Sequence, residues 1–446
     1  MGRLFGTDGI RGIANQDPIT KKMGHKLGHA VVRFCQQRGI STSIVIGRDT
    51  RASGEMLEHA VVSGVISAGG NACQVGVLPT PGVAYLTREL AGGAGIVLSA
   101  SHNPQEYNGF KLFSREGFKL SDEEESEIED LILEQKISPT GERGRAEVHD
   151  DAGGKYISFL LKTVPEKFQP QDIKVVMDCA NGATFRVAPV LFQSLGFNAE
   201  ALFANPDGRN INKDCGSQHT EALSRRVLEA KADAGLAFDG DGDRVIAVDE
   251  KGRALAGDQI LMICAKMLRE KGRLKNNIVV STVMSNIGLR SALKGIGIEH
   301  VSTRVGDRYV MEEMRTRKSS LGGEESGHII FSDHHTTGDG LLAALQLLYA
   351  TKISGQTLSE LSSLMTVYPQ TLTNVPVGNK PDISEVPALV KIIRDTEQEL
   401  GDEGRVLVRY SGTEPVCRVM VEGKRREEIE AYARDIADVI TRQLNP

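Results

Sequence analysis

Three aspartates stand within five residues of one another in the segment Asp239-Gly-Asp-Gly-Asp243. Carboxylates at this density repel one another unless a cation lies between them. The two glycines let the backbone turn so that all three side chains point inward, and ligand sets made only of oxygen suit a hard cation such as Mg²⁺ or Ca²⁺. The segment therefore predicts a divalent-metal site held by Asp239, Asp241 and Asp243.

A calcium-binding EF-hand is one alternative for this segment, because Glu250 falls at the twelfth position of such a loop. The sixth position is Arg244, however, where an EF-hand needs glycine for its sharp turn, and the flanks LAF and VIAV are typical of strands. A few protein carboxylates together with a phosphate oxygen are a usual arrangement for Mg²⁺. An acidic surface turn is the other alternative that the residues leave open.

Ser101 and His102 follow an apolar strand and precede Asn103-Pro104. A serine beside a histidine fits a hydrolase, but the G-x-S-x-G elbow is absent. A loop serine can instead carry a phosphoryl group, whose charge of about −1.5 to −2 needs a metal or a basic partner. Lys111, on the next predicted strand, can supply that charge or transfer a proton. A turn serine and a surface lysine remain the structural alternatives.

Two further loops carry groups that suit a phosphorylated sugar. The segment RYSGTEP joins Arg409 to two hydroxyls and a glycine turn, so it can bind phosphate through guanidinium and backbone N–H groups, with Arg418 nearby on the next strand. The segment GEESGH offers Glu324 and Glu325 to sugar hydroxyls or to an ammonium group. The guanidinium of Arg11 can also donate hydrogen bonds to a phosphate group. Each segment taken alone also fits a solvated turn.

These residues share one setting, in which a short apolar strand runs into a polar, glycine-containing loop and a second apolar strand follows. Functional loops tend to lie on rigid scaffolds, so one such loop per domain predicts four domains that build one cleft. The expected boundaries lie near residues 150, 254 and 368. The four segments are GIVLSASHNPQEYNGFKLF, AGLAFDGDGDRVIAVD, SSLGGEESGHIIF and RVLVRYSGTEPVCRVMV.

Strand-like and helix-like segments alternate along most of the chain. Strands are predicted over Ser43–Ile46, Ala72–Val77 and Gly95–Leu98. A helix is predicted over Ser53–Ala68, with Ser53 as its N-cap. Such alternation indicates an α/β protein with parallel or mixed sheets.

The bulk composition limits the class of protein. With 446 residues the chain exceeds the ~250–300 residues that one core supports, so three or four domains are expected. A net charge of −6 gives no general attraction for nucleic acid or anionic membranes. No apolar run approaches the ~18 residues of a membrane span, and MGRLFGTDGIRG lacks the apolar stretch of a signal peptide. Six scattered cysteines suit a reducing cytosol, so a cytoplasmic location is predicted.

The combination of motifs is more specific than any one of them. The segments TDGIRG, SASHNPQEYNGFK, DGDGDR, GEESGH and RYSGTEP occur in the order typical of the α-D-phosphohexomutases. The sequence resembles this family from Phe5 to about Glu422, and is most similar to its amino-sugar branch. It departs from the phosphomannomutase branch at Asp307 in TRVGDRYV, where that branch usually has a basic residue.

The resemblance implies an α/β fold with four domains around a central cleft, of which three are related mixed-sheet α/β domains and the fourth is a smaller C-terminal α+β domain. The implied domains are 1–150 with the phosphoserine loop, 151–254 with the metal-binding loop, 255–368 with the sugar-recognition loop and 369–446 with the phosphate-binding loop.

The resemblance also implies a role for each motif residue. Ser101 becomes the phosphoserine and a metal ligand beside the three aspartates. The catalytic group comprises Ser101, His102, Lys111, Arg11 and Arg244, among which proton transfer is assigned to Lys111 with help from His102 and Arg11. The substrate-binding group comprises Glu324, Ser326, His328, Arg409, Ser411, Gly412, Thr413 and Arg418.

The implied reaction is an intramolecular phosphoryl transfer on a phosphosugar, by way of a 1,6-bisphosphate. The implied cofactors are one Mg²⁺ per chain and glucosamine or glucose 1,6-bisphosphate as activator. The expected partner is a small phosphosugar, and a homodimer is expected by resemblance alone. The alternatives are a mutase for glucose or mannose phosphates and a metal- or sugar-phosphate-binding protein without catalysis, and an intact Ser101 beside a full metal loop disfavours the latter.

Overall fold

The computed structural model describes residues 4–6, 8–134, 143–411 and 415–444. Contacts between Cα atoms divide the chain into two compact units. The first comprises the chain up to Met284 together with Gly297–Leu364, and the second comprises Ser285–Ile296 together with the chain from Met365 onward. Among the described residues, no helix has both the length and the apolar character that a bilayer crossing requires.

The first part of the chain forms a six-stranded sheet in the order β1-β5-β4-β2-β3-β6. Its helices α1 and α2 approach closely, because a Cβ atom at Gly28 would lie only 2.2 Å from the carbonyl oxygen of Val61. The elements are β1 (Ile10–Ile13), α1 (Lys21–Gln37), β2 (Ser43–Arg48), α2 (Ala52–Ser67), β3 (Asn71–Val77), α3 (Thr80–Glu89), β4 (Ala94–Leu98), β5 (Tyr107–Ser114), α4 (Asp122–Leu133) and β6 (Ala146–Val148).

The second part forms a five-stranded sheet in the order β11-β10-β9-β7-β8. Strand β9 is buried at every position, as its apolar sequence AGLAF requires. The elements are α5 (Ala152–Leu161), β7 (Lys174–Asp178), α6 (Val187–Ser194), β8 (Asn198–Leu202), α7 (Glu221–Ala230), β9 (Ala234–Phe238), β10 (Val245–Asp249) and β11 (Ala254–Leu255).

The third part forms a four-stranded sheet in the order β13-β12-β14-β15. Helix α11 is apolar on all sides and correspondingly buried along most of its length. The elements are α8 (Gly257–Glu270), β12 (Ile278–Thr282), α9 (Ile287–Gly295), β13 (Glu299–Thr303), α10 (Asp307–Arg317), β14 (Leu321–Gly323), β15 (Ile329–Phe331), α11 (Gly340–Ser354) and α12 (Leu358–Ser362).

The three sheets share one topology, which confirms the prediction of three related α/β domains with mixed sheets. In each, four strands stand in the order fourth, third, first, second: β5-β4-β2-β3, β10-β9-β7-β8 and β15-β14-β12-β13. The first three strands of each set are parallel and the fourth is antiparallel. The loops after β4, β9 and β14 therefore start at the carboxyl ends of parallel strands, where α/β sheets bind ligands.

The C-terminal part of the second compact unit is a smaller α+β structure, as expected. Its antiparallel sheet has the order β16-β18-β17, and apolar residues of β18 and the last helix build its core. Helix α9 belongs to the same unit, where the backbone N–H of Ile287 donates to Oε1 of Glu422 at 3.0 Å. The elements are β16 (Gln370–Pro376), α13 (Pro387–Leu400), β17 (Arg405–Tyr410), β18 (Val416–Glu422) and α14 (Arg426–Leu444).

Each of the four predicted segments has its two strands, and the structure pairs them antiparallel: β4–β5, β9–β10, β14–β15 and β17–β18. The predicted cap of α2 is wrong. The N-cap is Arg51, which makes no side-chain cap bond, and Ser53 Oγ instead accepts a bond of 2.9 Å from Nδ2 of Asn108. The hydroxyl that the sequence pattern assigned to capping α2 is thus hydrogen-bonded to Asn108 of β5 instead.

Candidate active site

Three of the hairpin loops of the first compact unit meet at one buried cluster. Ser101 Oγ donates to Oδ2 of Asp239 at 2.6 Å. Lys111 Nζ lies 2.7 Å from Oδ2 of Asp241 and 3.1 Å from Oδ2 of Asp243. His328 Nδ1 lies 3.7 Å from the same Asp243 oxygen. Residues separated by more than a hundred positions are thus gathered around one serine hydroxyl.

The three aspartates fit a divalent cation. One carboxylate oxygen from each lies within 4.8 Å of the others, and all three residues are buried. Oδ1 of Asp241 and Oδ1 of Asp243 are buried without a hydrogen-bond partner among the described residues. Buried oxygen atoms of this kind need a partner, and an oxygen-only set suits a hard cation. The chain therefore contains a carboxylate triad that can hold a divalent metal beside Ser101.

The charged groups of the cluster shift one another's pKa values. Burial, together with the charges of Asp243 and Asp241, raises the pKa of Asp239 well above its usual value. Burial opposes the charge of Lys111, but Asp241, Asp243 and Asp8 outweigh it and raise the pKa of Lys111 well above its usual value. A cation between the carboxylates would relieve the same repulsion that acts on Asp239.

The Ser101 loop is held by Arg51, whose side chain is fully buried. Its Nε donates to Oδ2 of Asp49 at 2.9 Å, and the remaining four N–H groups donate to backbone carbonyls of the loop. A guanidinium has five donors in a fixed fork, and all five are used here. The carbonyls are those of Ser101 (3.0 Å), Asn103 (2.8 Å), Tyr107 (3.0 Å) and Pro104.

Ser101 has a left-handed backbone conformation with φ 51°, which is strained for a residue with a side chain. Its backbone N–H donates to Oγ of Ser99 at 2.9 Å, and Ser99 Oγ donates to Oδ2 of Asp49 at 2.6 Å. Asn212 Nδ2, in the loop between β8 and α7, adds a bond of 2.8 Å to the Ser101 carbonyl. These contacts fix the loop in the conformation that points Ser101 Oγ at the carboxylates.

We expect Arg51→Lys to damage the loop although it keeps the positive charge beside Asp49. A lysine ammonium cannot reproduce a planar five-donor fork, and charge-assisted hydrogen bonds are worth about 1.5–3 kcal/mol each. The free energy of unfolding should fall by at least ~2 kcal/mol, and turnover by about 10-fold or more because the serine is misplaced. Denaturant unfolding and steady-state kinetics measure the two effects.

The matched control for this variant is Arg48→Lys. Arg48 stands on β2, three residues earlier, and its Nε donates to Oε2 of Glu58 at 2.9 Å instead of to a carbonyl of the Ser101 loop. It should keep nearly full turnover. Equal kinetic losses in the two variants would contradict the role of Arg51 in holding the loop.

His102, Arg11 and Arg244 stand near the same hydroxyl and triad. His102 Nδ1 lies 3.3 Å from Ser101 Oγ, and burial, with the nearby charges of Arg244 and Arg11, lowers the pKa of His102 to about 4. The ring is therefore neutral at pH 7. The Nε atoms of Arg11 and Arg244 are buried without a hydrogen-bond partner in the described parts of the chain, so each has a donor available for an anion.

The sugar-loop residues of GEESGH lie next to the triad on β14–β15. Glu324 Oε1 accepts from the backbone N–H of Gly306 at 3.3 Å, and burial raises its pKa. Ser326 Oγ is buried, with no hydrogen-bond partner found among the residues described. His328 packs against Gly338, where a Cβ atom would lie 2.4 Å from the ring.

The predicted phosphate-binding residues lie in the second compact unit. Arg409 of β17 stands directly opposite Arg418 of β18, so the two side chains share one face of the sheet. Like charges directly opposite one another destabilise a sheet unless a counter-charge is near, and this suits an anion site. Ser411 is buried and its N–H donates to the Val416 carbonyl at 2.9 Å. Gly412 and Thr413 lie outside the described residues.

The sequence interpretation missed several polar residues that contact this cluster. Thr80 Oγ1 donates to Oδ2 of Asp241 at 2.6 Å, and Asp8 pairs with Lys111 at 3.3 Å. Arg51 and Asp49 hold the loop beneath Ser101. Asp8 lies inside the motif TDGIRG. Asp49 and Arg51 lie in GRDTR at the end of β2, where charged residues directly after a buried strand indicate a functional loop.

Comparison with known proteins places this geometry in a family. Profiles of phosphoglucomutase/phosphomannomutase match in chain order: alpha/beta/alpha domain I over residues 2–138, domain II over 154–252, domain III over 256–368 and the C-terminal domain over 372–439.

Individual relatives are similar along the whole length. A phosphoglucosamine mutase of Syntrophus aciditrophicus is 54% identical over 448 residues, covering 100% of both chains. One from Syntrophobacter fumaroxidans is 55% identical over 99% of each chain. A crystal structure of a phosphoglucomutase/phosphomannomutase family protein from Burkholderia thailandensis has a TM-score of 0.82 at 23% identity and covers 98% of both chains. The chain belongs to the phosphoglucomutase/phosphomannomutase family, the α-D-phosphohexomutases.

Proposed function

We propose that the protein is a phosphoglucosamine mutase, which interconverts glucosamine 6-phosphate and glucosamine 1-phosphate through phosphorylated Ser101 and a 1,6-bisphosphate. The observation that carries the proposal is the Ser101 hydroxyl, 2.6 Å from a carboxylate of the triad and beside Lys111. A phosphoryl group on this hydroxyl would lie among the cations and the metal site that its charge requires. The curated relatives named above support glucosamine as the sugar.

Mg²⁺ is the metal we assign to Asp239, Asp241 and Asp243, with the Ser101 phosphate as a further ligand. It would neutralise charge on the phosphoryl oxygens, which is most of what phosphoryl transfer asks of an enzyme. The donor set fits this ion because it contains only oxygen and leaves two buried oxygens unsatisfied by the described residues.

The chain's own residues supply the remaining stabilisation. As the O1–P bond forms and the P–Oγ bond of Ser101 breaks, Arg11, Arg244 and Lys111 bind the charge on the transferring group. The attacking hydroxyl cannot pass its proton to Lys111, because Asp241, Asp243 and Asp8 raise the pKa of that ammonium group well above its usual value. We assign acceptance of the proton to His102, with Lys111 and Arg11 binding the charge that develops. The neutral imidazole of His102, 3.3 Å from Ser101 Oγ, supports its part in this transfer.

The phosphate that does not react needs a second site. We assign it to the Arg409 loop, with Ser411, Gly412, Thr413 and Arg418, because the two guanidinium groups stand on one sheet face. After the first transfer the 1,6-bisphosphate turns end for end, so that its new 1-phosphate enters this site. Ser101 then takes back a phosphoryl group from O6. A bisphosphate of glucosamine or glucose would serve as activator by phosphorylating Ser101.

The 2-ammonium group is the feature that separates glucosamine from the other hexoses. Glu324 and the hydroxyl of Ser326 on the third loop can accept its N–H donors, and His328 completes the sugar-reading group. The same residues can also accept sugar hydroxyls, so a mutase for glucose or mannose phosphates is the second candidate. The predicted cytoplasmic location fits either substrate.

We expect glucosamine 6-phosphate to have the highest kcat/KM when the three 6-phosphates of glucosamine, glucose and mannose are compared. One preparation of phosphorylated protein is used, and each assay contains the matching 1,6-bisphosphate. An ion pair with the ammonium is worth about 1.5–3 kcal/mol, so a preference of about 10–100-fold is expected. Equal or better use of glucose or mannose phosphate would overturn the sugar assignment and leave the mutase chemistry in place.

A further inference from the structure

A buried line of alternating charges leads away from the carboxylate triad. Lys111 Nζ lies 3.3 Å from Oδ2 of Asp8, and the other oxygen of Asp8 pairs with Lys119 Nζ. Lys119 Nζ also lies 2.6 Å from Oδ2 of Asp307, which in turn lies 3.3 Å from Nε2 of His328. Because Lys111 and His328 both approach Asp243, the line returns to the triad and forms a closed ring.

The ring joins three of the sheets. Asp8, Lys111 and Lys119 come from the first sheet domain and Asp307 and His328 from the third, while Asp243, which closes the ring, follows β9 of the second. The Lys119 and Asp307 side chains are only 9% and 10% exposed, so neither charge is stable there without the other. Burial disfavours both charges, yet the pKa of Lys119 is raised by Asp307 and Asp8, and the pKa of Asp307 is lowered by Lys119 and His328.

The hydrogen bonds of His328 depend on its charge. Its Nε2 is 3.3 Å from the Asp307 carboxylate and 3.1 Å from the backbone N–H of Gly338. A cationic ring donates to Asp307, whereas a neutral ring with Nδ1–H toward Asp243 accepts from Gly338. In both charge states the Asp307 carboxylate limits where the imidazole of His328 can lie.

We propose that Lys119 is a positioning residue, which holds Lys111 through Asp8 and His328 through Asp307 and so sets the geometry of the phosphoryl-transfer site. The proposal rests on the proposed function, since it takes Lys111 and His328 as part of that site. Among the described residues Lys119 forms ion pairs with Asp8 and Asp307 and none with the triad, so its ammonium group acts mainly through the two carboxylates that it joins.

Removal of the Lys119 ammonium would leave both Asp8 and Asp307 with one cationic partner fewer. Among the described residues, Asp8 would keep its ion pairs with Lys111 and Arg11, and would draw Lys111 away from Asp241 and Asp243. Asp307 would keep His328 and the backbone N–H of Arg308, which is 2.9 Å from Oδ1. Lys111 and His328 would therefore both move, and a shift of about 1 Å in a positioned group costs up to about 100-fold in rate.

A second ion pair between the same two domains provides the matched control. Arg308 Nη2 lies 2.7 Å from Oε1 of Glu125, with both side chains buried. It neighbours Lys119–Asp307 but, in the described parts of the chain, forms no ion pair or hydrogen bond with Lys111 or His328. Glu125→Gln therefore removes an ion pair between the two domains and keeps both ion pairs of Lys119.

The experiment compares Lys119→Met, Lys119→Arg, Asp307→Asn, the double variant Lys119→Met/Asp307→Asn and Glu125→Gln in the full-length protein. Thermal unfolding of each is recorded first. Initial rates with glucosamine 6-phosphate give kcat and KM, and intact mass follows phosphorylation of Ser101 by glucose 1,6-bisphosphate over time.

We expect Lys119→Met to lower kcat and the rate of Ser101 phosphorylation by about 10–100-fold with KM changed by less than about threefold. Lys119→Arg should restore most of the loss, because it keeps a cation between the two carboxylates. The double variant should lose about as much as the worse single variant, because the two residues act through one another. Glu125→Gln should keep kcat within about threefold of the native value even if its unfolding temperature drops.

Three results would overturn the proposal: a native kcat in folded Lys119→Met, an equal loss of kcat in Glu125→Gln, or fully additive losses in the double variant. If Lys119→Met does not fold, Asp307→Asn takes its place: a kcat loss of about 10–100-fold is expected, and a native kcat in folded Asp307→Asn would overturn the proposal. Failure of the substrate assignment looks different, because the native protein itself would then not turn over glucosamine 6-phosphate. The mass assay with glucose 1,6-bisphosphate still tests Lys119 in that case.

Discussion

Ser101→Ala should abolish mutase turnover while the protein stays folded. The variant removes the one oxygen that can carry the phosphoryl group, so no covalent step remains, and we expect kcat to fall by at least about 1,000-fold. Its effect on the free energy of unfolding should stay near 1 kcal/mol, the value of one hydrogen bond, here the bond to Asp239. Alanine and serine meet the same backbone strain at φ 51°.

Two measurements separate this result from a general loss of structure. Intact mass after incubation with glucose 1,6-bisphosphate should show a phosphoryl increment on the native protein and none on the variant. Ser114→Ala is the matched control, since Ser114 ends β5 and, among the described residues, its Oγ accepts a local N–H bond of 3.3 Å from Glu116 and no other. Normal turnover by Ser101→Ala with any of the three hexose phosphates would exclude a phosphoserine mechanism.

Asp241→Asn should produce the second largest loss. Oδ2 of Asp241 accepts from Thr80 at 2.6 Å and from Lys111 at 2.7 Å, while its Oδ1 is buried without a partner among the described residues. The substitution removes one anionic ligand of a hard cation and one of the charges that hold Lys111. Because such charge stabilisation is worth several kcal/mol in the transition state, we expect kcat to fall by about 100–1,000-fold.

The two causes in Asp241→Asn can be told apart by calorimetric titration with Mg²⁺. A metal role predicts a much weaker Mg²⁺ affinity, whereas an effect through Lys111 alone leaves the affinity unchanged. Chelation with EDTA should stop the native protein and Mg²⁺ should restore it. Asp249→Asn is the control, because Asp249 ends the same hairpin strand and pairs with Arg253 Nη2 at 2.7 Å, away from the triad. Full activity of native protein in chelator would rule out the metal site.

The motifs were readable from the sequence because each is a local feature of one hairpin. Asp239, Asp241 and Asp243 lie within five consecutive residues and alternate with two flexible glycines. Their clustering can therefore be predicted without knowledge of the fold. The apolar runs on either side predicted the hairpin strands for the same reason, since alternation of strand and loop is set within about twenty residues. Composition and family resemblance then supplied the number of domains and the shared α/β plan.

The local pattern failed where a distant contact competed for the same atom. Ser53 has the residue type of an N-cap, but Asn108 of β5 binds its hydroxyl and the helix starts one residue earlier. Arg51 gave no catalytic signal, because its role depends on four carbonyl oxygens that stand about fifty residues away in the chain. Directed hydrogen bonds of this kind follow from backbone placement and have no fixed sequence spacing.

The sequence by itself determined which groups this protein has for chemistry: a serine, a carboxylate triad, a set of cations and an acidic sugar loop. The tertiary structure decided how those groups act together in the first compact unit. It placed Ser101 within 2.6 Å of Asp239, made His102 neutral by burial, and set Lys119 between Asp8 and Asp307. The physical reason is that burial and ion pairing depend on distances between separate sheets, and electrostatic energies in a buried site change steeply with those distances.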